Sequence, residues 1–391
     1  KDLEPMSVDI SLKNEPPLVD AFKSPERLLM GAGPSRVHED VLAVMSQTTI
    51  GHLDPNMITM MDQLKDMLRY IFQTNNDMTF PVSGPGSLGM EACVNNMIEP
   101  GDEAIIAING VFGARMAEVA RRAGAKVIIT EDDWGQAVDP NKVEKALKSN
   151  SNVKIVGFVH AETSTGALSN ASEICRLAKD NNAMTIMDAV TSLAGVPVNV
   201  DVWGADGVYS GSQKCLSCPP GLSPVTFSDQ AVDDILKRET PVQSWLLDLS
   251  LVAGYWQGDG KSGARTYHHT APVNALMGLH EALRRVVQEG LENVWDRHKK
   301  VSDIIVSGME EMGFSMLVDE TIRLPELLTI KLPEGVDDSS VRAKLLNEYN
   351  IEISAGLGAF SGKLWRIGVM GEGAREENAE RILSAIKECI N

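Results

Sequence analysis

A lysine set in a turn of small residues is the most reactive feature of this sequence. The segment Ser210-Gly-Ser-Gln-Lys214 directly follows an apolar, strand-prone run, Asp206-Gly-Val-Tyr209. Glycine and serine let the backbone approach a ligand closely, and a nearby cation or apolar wall lowers the pKa of a lysine amine. Such an amine can form a Schiff base with a carbonyl group, although most loop lysines are solvated surface charges.

An acidic residue upstream gives this lysine a partner. Asp188 ends the apolar strand that begins at Thr185. A buried carboxylate is unfavourable unless it faces a cation, and the protonated nitrogen of a pyridine ring is such a cation. Lys214 and Asp188 together therefore predict a site for pyridoxal phosphate, with these two residues as its catalytic groups.

A glycine turn offers a place for the phosphate of that cofactor. We predict a strand over Thr79–Ser83, a turn over Gly84–Gly89 and a helix over Met90–Met97. A helix N-terminus binds anions through its free N–H groups and its positive dipole end. The turn also matches Gly-x-Gly-x-x-Gly, so an NAD-dependent dehydrogenase is an alternative. That class needs an acid at the end of the next strand, whereas Glu103–Ile108 ends in Asn109-Gly110, which disfavours it.

Ordered motifs extend the pattern over nearly the whole chain. They are Gly31-Ala-Gly-Pro-Ser35, Gly51-His-Leu-Asp-Pro55, Gly84–Gly89, His160-Ala-Glu-Thr-Ser-Thr-Gly166, Asp188-Ala-Val190, Gly211-Ser-Gln-Lys214, Tyr267-His-His-Thr270, Gly356-Leu-Gly358 and Trp365-Arg-Ile-Gly368. From about Leu28 onward the chain thus resembles class V (fold type I) pyridoxal-phosphate aminotransferases of the alanine/serine–glyoxylate group. Hydroxykynurenine transaminases are close relatives in that group. The resemblance implies a homodimer with shared active sites.

The resemblance also implies roles for single residues. Lys214 would be the Schiff-base lysine and proton shuttle, and Asp188 would pair with the ring nitrogen. Arg366 would bind the substrate carboxylate as a bidentate fork, with Ser35 lining the same pocket. The remaining cofactor contacts would come from Pro85, Gly86, Ser87, Phe112, Thr163, Val190 and Gln213 of one subunit and from Tyr267 and Thr270 of the second.

Two positions depart from the family pattern. Pro85 has neither an N–H group nor a hydroxyl, so one phosphate donor is missing. Arg36 stands in the substrate motif where the glyoxylate group usually has Asn. Its side chain either faces solvent or pairs with Glu39 or Asp40, as exposed arginines commonly do, or it recognises a substrate with a second anionic group.

Composition fits an ordinary globular enzyme. The 391 residues are 43% hydrophobic and 23% charged. A net charge of −18 argues against binding to nucleic acid or to an anionic membrane, because both need a basic face. No apolar run approaches the ~18 residues that cross a bilayer. We expect a cytoplasmic location, and the absent initiator Met leaves peroxisomal and mitochondrial locations open.

Cysteine and histidine residues give weaker signals. Cys215 and Cys218 form a single CxxC pair, which indicates packing more than zinc binding or redox activity. His160, His268 and His269 lack the spacing of a metal site, so no metal is predicted. Loop packing and hydrogen bonds near the cofactor are the expected roles of these histidines.

Alternating strands and helices predict an α/β fold with a mainly parallel sheet. The predicted strands are Glu103–Ile108, Lys126–Ile129, Ile155–His160, Met184–Met187, Gly207–Ser210 and Ser223–Phe227, and the helices between them include Phe112–Ala123, Pro140–Lys148 and Asn170–Asp180. Near Val287 the pattern changes to that of an α+β unit. We predict an N-terminal arm (1–27), a large cofactor-binding domain (28–286) and a small C-terminal domain (287–391).

The expected activity is transfer of an amino group from a small amino acid, alanine or serine, to glyoxylate or another small 2-oxo acid. Two other donors stay open, namely 3-hydroxykynurenine and an acidic amino acid recognised by Arg36. Outside this activity, the alternatives are the dehydrogenase and an inactive binding protein with the same fold.

Overall fold

A computed structural model describes residue 12 and residues 14–258 and 263–390 of the chain. Residues 1–11 and 13 of the predicted N-terminal arm lie outside the described residues, as do residues 259–262 and 391.

The strands and helices follow the predicted order, with ends that differ from the predictions by a few residues. The strands are β1 (Leu28–Leu29), β2 (Met78–Ser83), β3 (Glu103–Ile108), β4 (Lys126–Glu131), β5 (Val153–Val159), β6 (Ala161–Glu162), β7 (Ala167–Leu168), β8 (Met184–Asp188), β9 (Gly207–Tyr209), β10 (Leu222–Phe227), β11 (Ser315–Met316), β12 (Leu327–Lys331), β13 (Ile351–Glu352), β14 (Ser354–Ala355) and β15 (Leu364–Gly368). The helices are α1 (Glu39–Met45), α2 (Pro55–Phe72), α3 (Gly86–Met97), α4 (Val111–Arg122), α5 (Pro140–Ser149), α6 (Ala171–Asp180), α7 (Val200–Trp203), α8 (Asp229–Leu236), α9 (Leu249–Trp256), α10 (Val273–Glu289), α11 (Leu291–Glu311), α12 (Asp338–Glu348) and α13 (Glu376–Ile390).

The main sheet has seven strands in the order β2-β10-β9-β8-β5-β3-β4. Strands β9, β8, β5, β3 and β4 are mutually parallel, whereas β10 runs antiparallel to both of its neighbours. The expected mainly parallel α/β sheet is therefore confirmed. The inner parallel strands β3, β5 and β8 are mostly apolar and buried, as expected where helices cover both faces, whereas the edge strand β4 is largely accessible. In β8, for example, every residue is buried.

A smaller sheet, β11-β12-β15-β14, belongs to a second hydrophobic core. Helices α11, α12 and α13 supply much of that core. Strand β1 lies outside both sheets and pairs in parallel with β13, so Leu28 and Met30 join the second core although they are far away in sequence. The division into a large and a small domain stays a prediction. The exact boundaries at residues 28 and 287 stay predictions.

Helix α2 illustrates how local sequence sets an element. Asp54 accepts a hydrogen bond from the backbone N–H of Asn56, and Pro55 occupies the first helical position, where its missing N–H costs nothing. The apolar side chains then recur at helical spacing, and Met57, Met61 and Leu64 are fully buried against the main core. Among the described residues, no helix combines the length and apolar character that a bilayer span requires.

Candidate active site

The carboxyl ends of the parallel strands bring the predicted residues together. Strand β8 ends at Asp188, and β9 ends just before the turn that carries Lys214. Strand β3 leads into α4 with Phe112, and β5 leads into the segment with Thr163. Because ligands of open α/β sheets bind outside these strand ends, this edge is the candidate active site.

Lys214 is held in a buried position, with 8% of its surface exposed. Its Nζ donates a hydrogen bond to the carbonyl oxygen of Ala32, and Ser35 Oγ donates one to the carbonyl oxygen of Lys214 at 2.6 Å. A side chain at Gly33, whose φ is +106°, would collide with the lysine. Burial, helped by the positive charge of Arg366, lowers the pKa of Lys214 to about 8. A substantial fraction of this amine is therefore neutral and nucleophilic near neutral pH.

Asp188 is buried on the same edge, with 2% of its surface exposed. The backbone N–H of Val190 donates to Oδ1 and the Tyr209 hydroxyl donates to Oδ2, each at 2.8 Å. Burial raises the pKa of Asp188 to about 7 despite these two donors. A cation at this position would favour the ionised carboxylate, as expected of a partner for a pyridinium.

The phosphate cradle lies at the N-terminus of α3. Pro85 is the N-cap residue and provides no side-chain hydrogen bond to the helix. The N–H groups of Gly86 and Ser87 have no partner inside the helix, since the first turn leaves its donors free. A Cβ built on Gly86 would lie 3.4 Å from Val190 Cγ2 and 3.6 Å from the carbonyl oxygen of Ser210. The cradle, Val190 and the lysine turn therefore converge on one point.

Gln213 lies beside this cradle. Its Oε1 is buried and has no hydrogen-bond partner among the described residues. The side chain folds over Gly211, where an added Cβ would lie 2.7 Å from Oε1. The amide of Gln213 is therefore not engaged through its oxygen, and its NH2 group, which a flip of the amide exchanges with Oε1, is the end that can donate to an anion at this helix N-terminus.

Phe112 and Thr163 follow strands β3 and β5 at the same edge of the main sheet. The backbone N–H groups of Phe112 and Gly113 each donate to the Glu162 carboxylate at 3.3 Å. Thr163 Oγ1 lies 2.5 Å from the hydroxyl of Thr191. The buried Glu162 thus fixes the backbone of the first turn of α4, which carries Phe112. Sequence reasoning missed Glu162 and Thr191, although Glu162 lies inside the His160–Gly166 motif.

Arg366 approaches from β15 of the smaller sheet. Its Nε donates to the carbonyl oxygen of Ala355 at 2.9 Å, and its Nη1 donates to the carbonyl oxygen of Thr163 at 3.2 Å. Burial lowers its pKa, and the negative charge of Glu162 partly opposes that shift. No ion pair involves Arg366 anywhere in the described part of the chain, so its positive charge is available to an anionic ligand.

Three of the predicted residues lie on the surface of the single chain. Tyr267 is 58% exposed, with its ring centroid 5.2 Å from that of His52, and Thr270 is also exposed. Arg36 is exposed as well, and it forms no ion pair with Glu39 or Asp40 in the described structure. Its groove, about 1030 Å³ in volume, is lined by residues that include Arg27, Arg285 and Arg375 but neither Lys214 nor Arg366.

The histidines take packing and hydrogen-bonding positions. His160 is buried against Trp203, edge-on at 5.1 Å between ring centroids, and burial lowers its pKa to about 4. His268 Nδ1 lies 2.8 Å from His269 Nδ1, and His269 Nε2 lies 2.7 Å from Ser83 Oγ. Within the described ranges, no set of three acidic, His or Cys side chains is arranged to hold a metal ion. Cys215 and Cys218 are buried free thiols.

A buried lysine and a buried aspartate at the carboxyl edge of a mainly parallel sheet, beside an anion cradle, define a pyridoxal-phosphate enzyme of the fold type I class. Comparison with known proteins identifies the family. The Aminotransferase class-V family model matches residues 28–367. The alanine–glyoxylate aminotransferase of Rattus norvegicus is 38% identical over 367 residues, which cover 94% of this chain and 88% of the rat protein.

Solved structures agree with the family match. The alanine–glyoxylate aminotransferase from Nostoc sp. superposes with a TM-score of 0.92 at 41% identity, over 96% of this chain and 98% of that one. The ureidoglycine–glyoxylate aminotransferase from Bacillus subtilis superposes with a TM-score of 0.91 at 36% identity, over 95% and 94% of the two chains. The chain belongs to the class V aminotransferases, and it is an aminotransferase whose cofactor is pyridoxal phosphate. The dehydrogenase and inactive-protein alternatives are not favoured.

The residues present fit this cofactor. The free N–H groups of α3 suit its phosphate, and the amide of Gln213 beside them can donate from its NH2 group. Asp188 offers a buried carboxylate, which a protonated ring nitrogen would keep ionised. Lys214 presents an amine whose lowered pKa suits Schiff-base chemistry.

Proposed function

We propose that this enzyme transfers the amino group of alanine or serine to glyoxylate. The relatives from Rattus norvegicus, Nostoc sp. and Bacillus subtilis share glyoxylate in their names; the first two name alanine as the donor and the third names ureidoglycine. The observation that carries the proposal is Arg366, a buried cation without an ion pair among the described residues, on the same edge as Lys214 and Asp188. A single carboxylate clamp suits a substrate with one carboxylate, such as alanine, serine or glyoxylate.

Pyridoxal phosphate, when bound, supplies an aldehyde that condenses with amines and a ring that accepts electron density. In this proposal Asp188 keeps the ring nitrogen protonated, and Arg366 orients the substrate by its carboxylate. Lys214 Nζ would act as the general base that removes the proton from the substrate Cα, and it would hold that proton for its return. The lowered pKa of Lys214 favours the neutral amine that a base needs.

The remaining predicted residues hold the cofactor in this scheme. Gly86, Ser87 and the NH2 group of Gln213 would hold the phosphate, with Pro85 shaping the turn. Phe112 and Val190 would pack against the ring, and Thr163 would donate a hydrogen bond to it. Ser35 fixes the backbone of Lys214 through the bond from its hydroxyl.

We further propose a cytoplasmic homodimer in which Tyr267 and Thr270 complete the phosphate site of the partner subunit. Both residues are exposed in the single chain. Large apolar side chains are exposed nearby in sequence and on the N-terminal arm, namely Trp245, Leu246, Leu18, Val19 and Phe22. Exposed apolar groups of this size are typical of protein interfaces.

The test is spectroscopic. The purified enzyme should carry a borohydride-sensitive visible chromophore that alanine or serine bleaches and glyoxylate restores. A Lys214→Ala variant should bind the cofactor without a borohydride-trapped bond and should lose multiple turnover. Bleaching by aspartate or by 3-hydroxykynurenine, but not by alanine or serine, would replace the proposed donor. A Lys214→Ala variant with wild-type turnover would refute the proposed site.

A further inference from the structure

Tyr209 contacts the central acid of the proposed site, and neither its type nor its position suggested a role from sequence. Its hydroxyl donates to Asp188 Oδ2 at 2.8 Å, and both residues are almost completely inaccessible to solvent. Among the described residues, Asp188 is the only hydrogen-bond partner of this hydroxyl.

Sheet register fixes the pair. Tyr209 is the last residue of β9, and it lies directly opposite Asp188, the last residue of β8, in a parallel ladder. The backbone N–H of Ala189 donates to the carbonyl oxygen of Tyr209 at 2.8 Å, which locks the two strand ends together. Residues opposite each other in a ladder have side chains on the same face of the sheet, so the phenol stays beside the carboxylate.

Helix α3 packs against Tyr209. A Cβ built on Gly89 would lie 3.1 Å from Tyr209 Cβ, so the missing side chain lets the helix pack closely on Tyr209. This helix carries the phosphate cradle at its first turn. Tyr209 therefore contacts both the helix that carries the cradle and the acid proposed to bind the ring nitrogen.

We propose that Tyr209 is a positioning residue that keeps Asp188 ionised and directed at the ring nitrogen of pyridoxal phosphate. The inference depends on the proposed role of Asp188. A hydrogen bond donated to a carboxylate favours its charged form, and here it also restricts rotation of the carboxyl group. Val190 N–H and the Tyr209 hydroxyl each occupy one oxygen, and each oxygen keeps a second acceptor position for the cofactor.

Burial and one nearby negative charge both favour the protonated form of Asp188, so a donor to its carboxylate counteracts them. Burial is the main cause that raises the pKa of Asp188 to about 7, and the negative charge of Glu162 on β6 adds to it. Lys214 opposes the rise, while Cys93 on α3 is a thiol whose pKa burial raises. Burial and the nearby Asp188 raise the pKa of Tyr209 far above its ordinary value, so the hydroxyl stays a donor at every working pH.

The variant that tests the inference is Tyr209→Phe, which keeps the ring and removes only the hydroxyl. Loss of a hydrogen bond to a charged group should raise the dissociation constant for pyridoxal phosphate about tenfold or more. The acid limb of cofactor binding should move to higher pH by about one unit, because Asp188 then takes up its proton more readily. The pH midpoint of the visible band of the bound cofactor should move in the same direction as the acid limb of binding.

Tyr255→Phe is the matched control. Tyr255 is fully buried and donates from its hydroxyl to the carbonyl oxygen of His52 at 2.7 Å. Both variants should lose stability, but only Tyr209→Phe should change cofactor affinity and its pH dependence. If the two variants show equal, unchanged cofactor affinity and pH profiles, Tyr209 only packs.

An Asp188→Asn background separates this inference from the proposed site. In that background Tyr209→Phe should have no further effect on cofactor affinity, since the coupling passes through the carboxylate. If Asp188→Asn itself leaves affinity and turnover unchanged, the proposed role of Asp188 is wrong. If Asp188→Asn is damaging and Tyr209→Phe is silent, only the role of Tyr209 is overturned.

Discussion

Arg366 and Thr163 are joined by a hydrogen bond of 3.2 Å from Nη1 of the arginine to the carbonyl oxygen of the threonine. The bond connects β15 of the smaller sheet to the segment that follows β5 of the main sheet. The guanidinium thus has one edge fixed by protein carbonyl groups, from Thr163 and Ala355. Its remaining N–H groups can form a fork for a substrate carboxylate.

Replacing Arg366 by Lys should weaken substrate use strongly. An ammonium is a point charge that cannot reproduce a bidentate fork or keep the bonds to both carbonyl oxygens. We expect kcat/KM for alanine to fall, with a loss of transition-state stabilisation of roughly 2–5 kcal/mol, as for a broken desolvated charge pair. Steady-state kinetics measures this. Arg381→Lys, at an exposed arginine that donates to the carbonyl oxygen of Tyr349, is the control and should stay near wild type. A loss below tenfold for Arg366→Lys would mean that another group holds the carboxylate.

The shared site can be tested by placing two substitutions in trans or in cis. A Lys214→Ala chain mixed with a Thr270→Ala chain should form heterodimers with one complete site, because Thr270 reaches the partner's phosphate. Activity at limiting cofactor should then exceed the sum of the separate samples. The doubly substituted chain mixed with wild type contains the same changes but forms heterodimers without a complete site.

Subunit exchange has to be demonstrated in both mixtures, for example with differently tagged chains. On exchange, a shared site predicts that the trans mixture gains activity and that the cis mixture loses activity, because wild-type homodimers are converted into heterodimers without a complete site. Unchanged activity of both mixtures after exchange would contradict a site shared between subunits.

Glu326 should make stability depend on pH. It is fully buried just before β12, both carboxylate oxygens lack partners among the described residues, and burial raises its pKa from 4.5 to about 8. The folded protein therefore holds this proton more tightly than the unfolded chain. The contribution of this proton to the free energy of unfolding is fully present below pH ~4.5 and is lost as pH rises through about 8. The loss is at most ~1.4 kcal/mol per pH unit.

The comparison is Glu326→Gln, which cannot ionise. In urea unfolding of the holoenzyme, its free energy of unfolding relative to wild type should increase as pH rises from 5 to 8. Glu311→Gln, at an exposed position of α11, should run parallel to wild type. Parallel curves for wild type and Glu326→Gln would show that Glu326 has an ordinary pKa in the folded protein.

The sequence was sufficient to predict the elements and the chemistry that depends on residue type. Glycine turns and apolar runs placed β3 correctly and β8 within one residue. Lys214 and Asp188 could be predicted as a pair because a carboxylate at the end of a buried strand is unfavourable without a cation. The family membership follows from the order of the motifs.

Contacts between distant residues could not be predicted in this way. Tyr209 looks like any aromatic residue in a strand, and only the register of β9 against β8 brings its hydroxyl to Asp188. Glu326 stands in an apolar segment, but its lack of a partner is a property of the packed core. The antiparallel direction of β10 likewise depends on the path of the long connection from Lys214, which local patterns do not specify.

Arg36 provides the test of substrate charge. Its exposure in a groove with Arg27, Arg285 and Arg375 favours a solvent-facing role, and it forms no ion pair among the described residues. If it instead recognises a second anionic group, Arg36→Asn should depress turnover of aspartate selectively, while alanine–glyoxylate turnover stays unchanged. We expect a solvent-facing Arg36, so that Arg36→Asn leaves turnover of both substrates unchanged within about twofold. An exposed charge screened by salt contributes little at a distance. Arg375→Asn in the same groove tests whether any effect is due to the groove charge rather than to Arg36 itself. A selective loss with aspartate in Arg36→Asn alone would assign Arg36 to the substrate site.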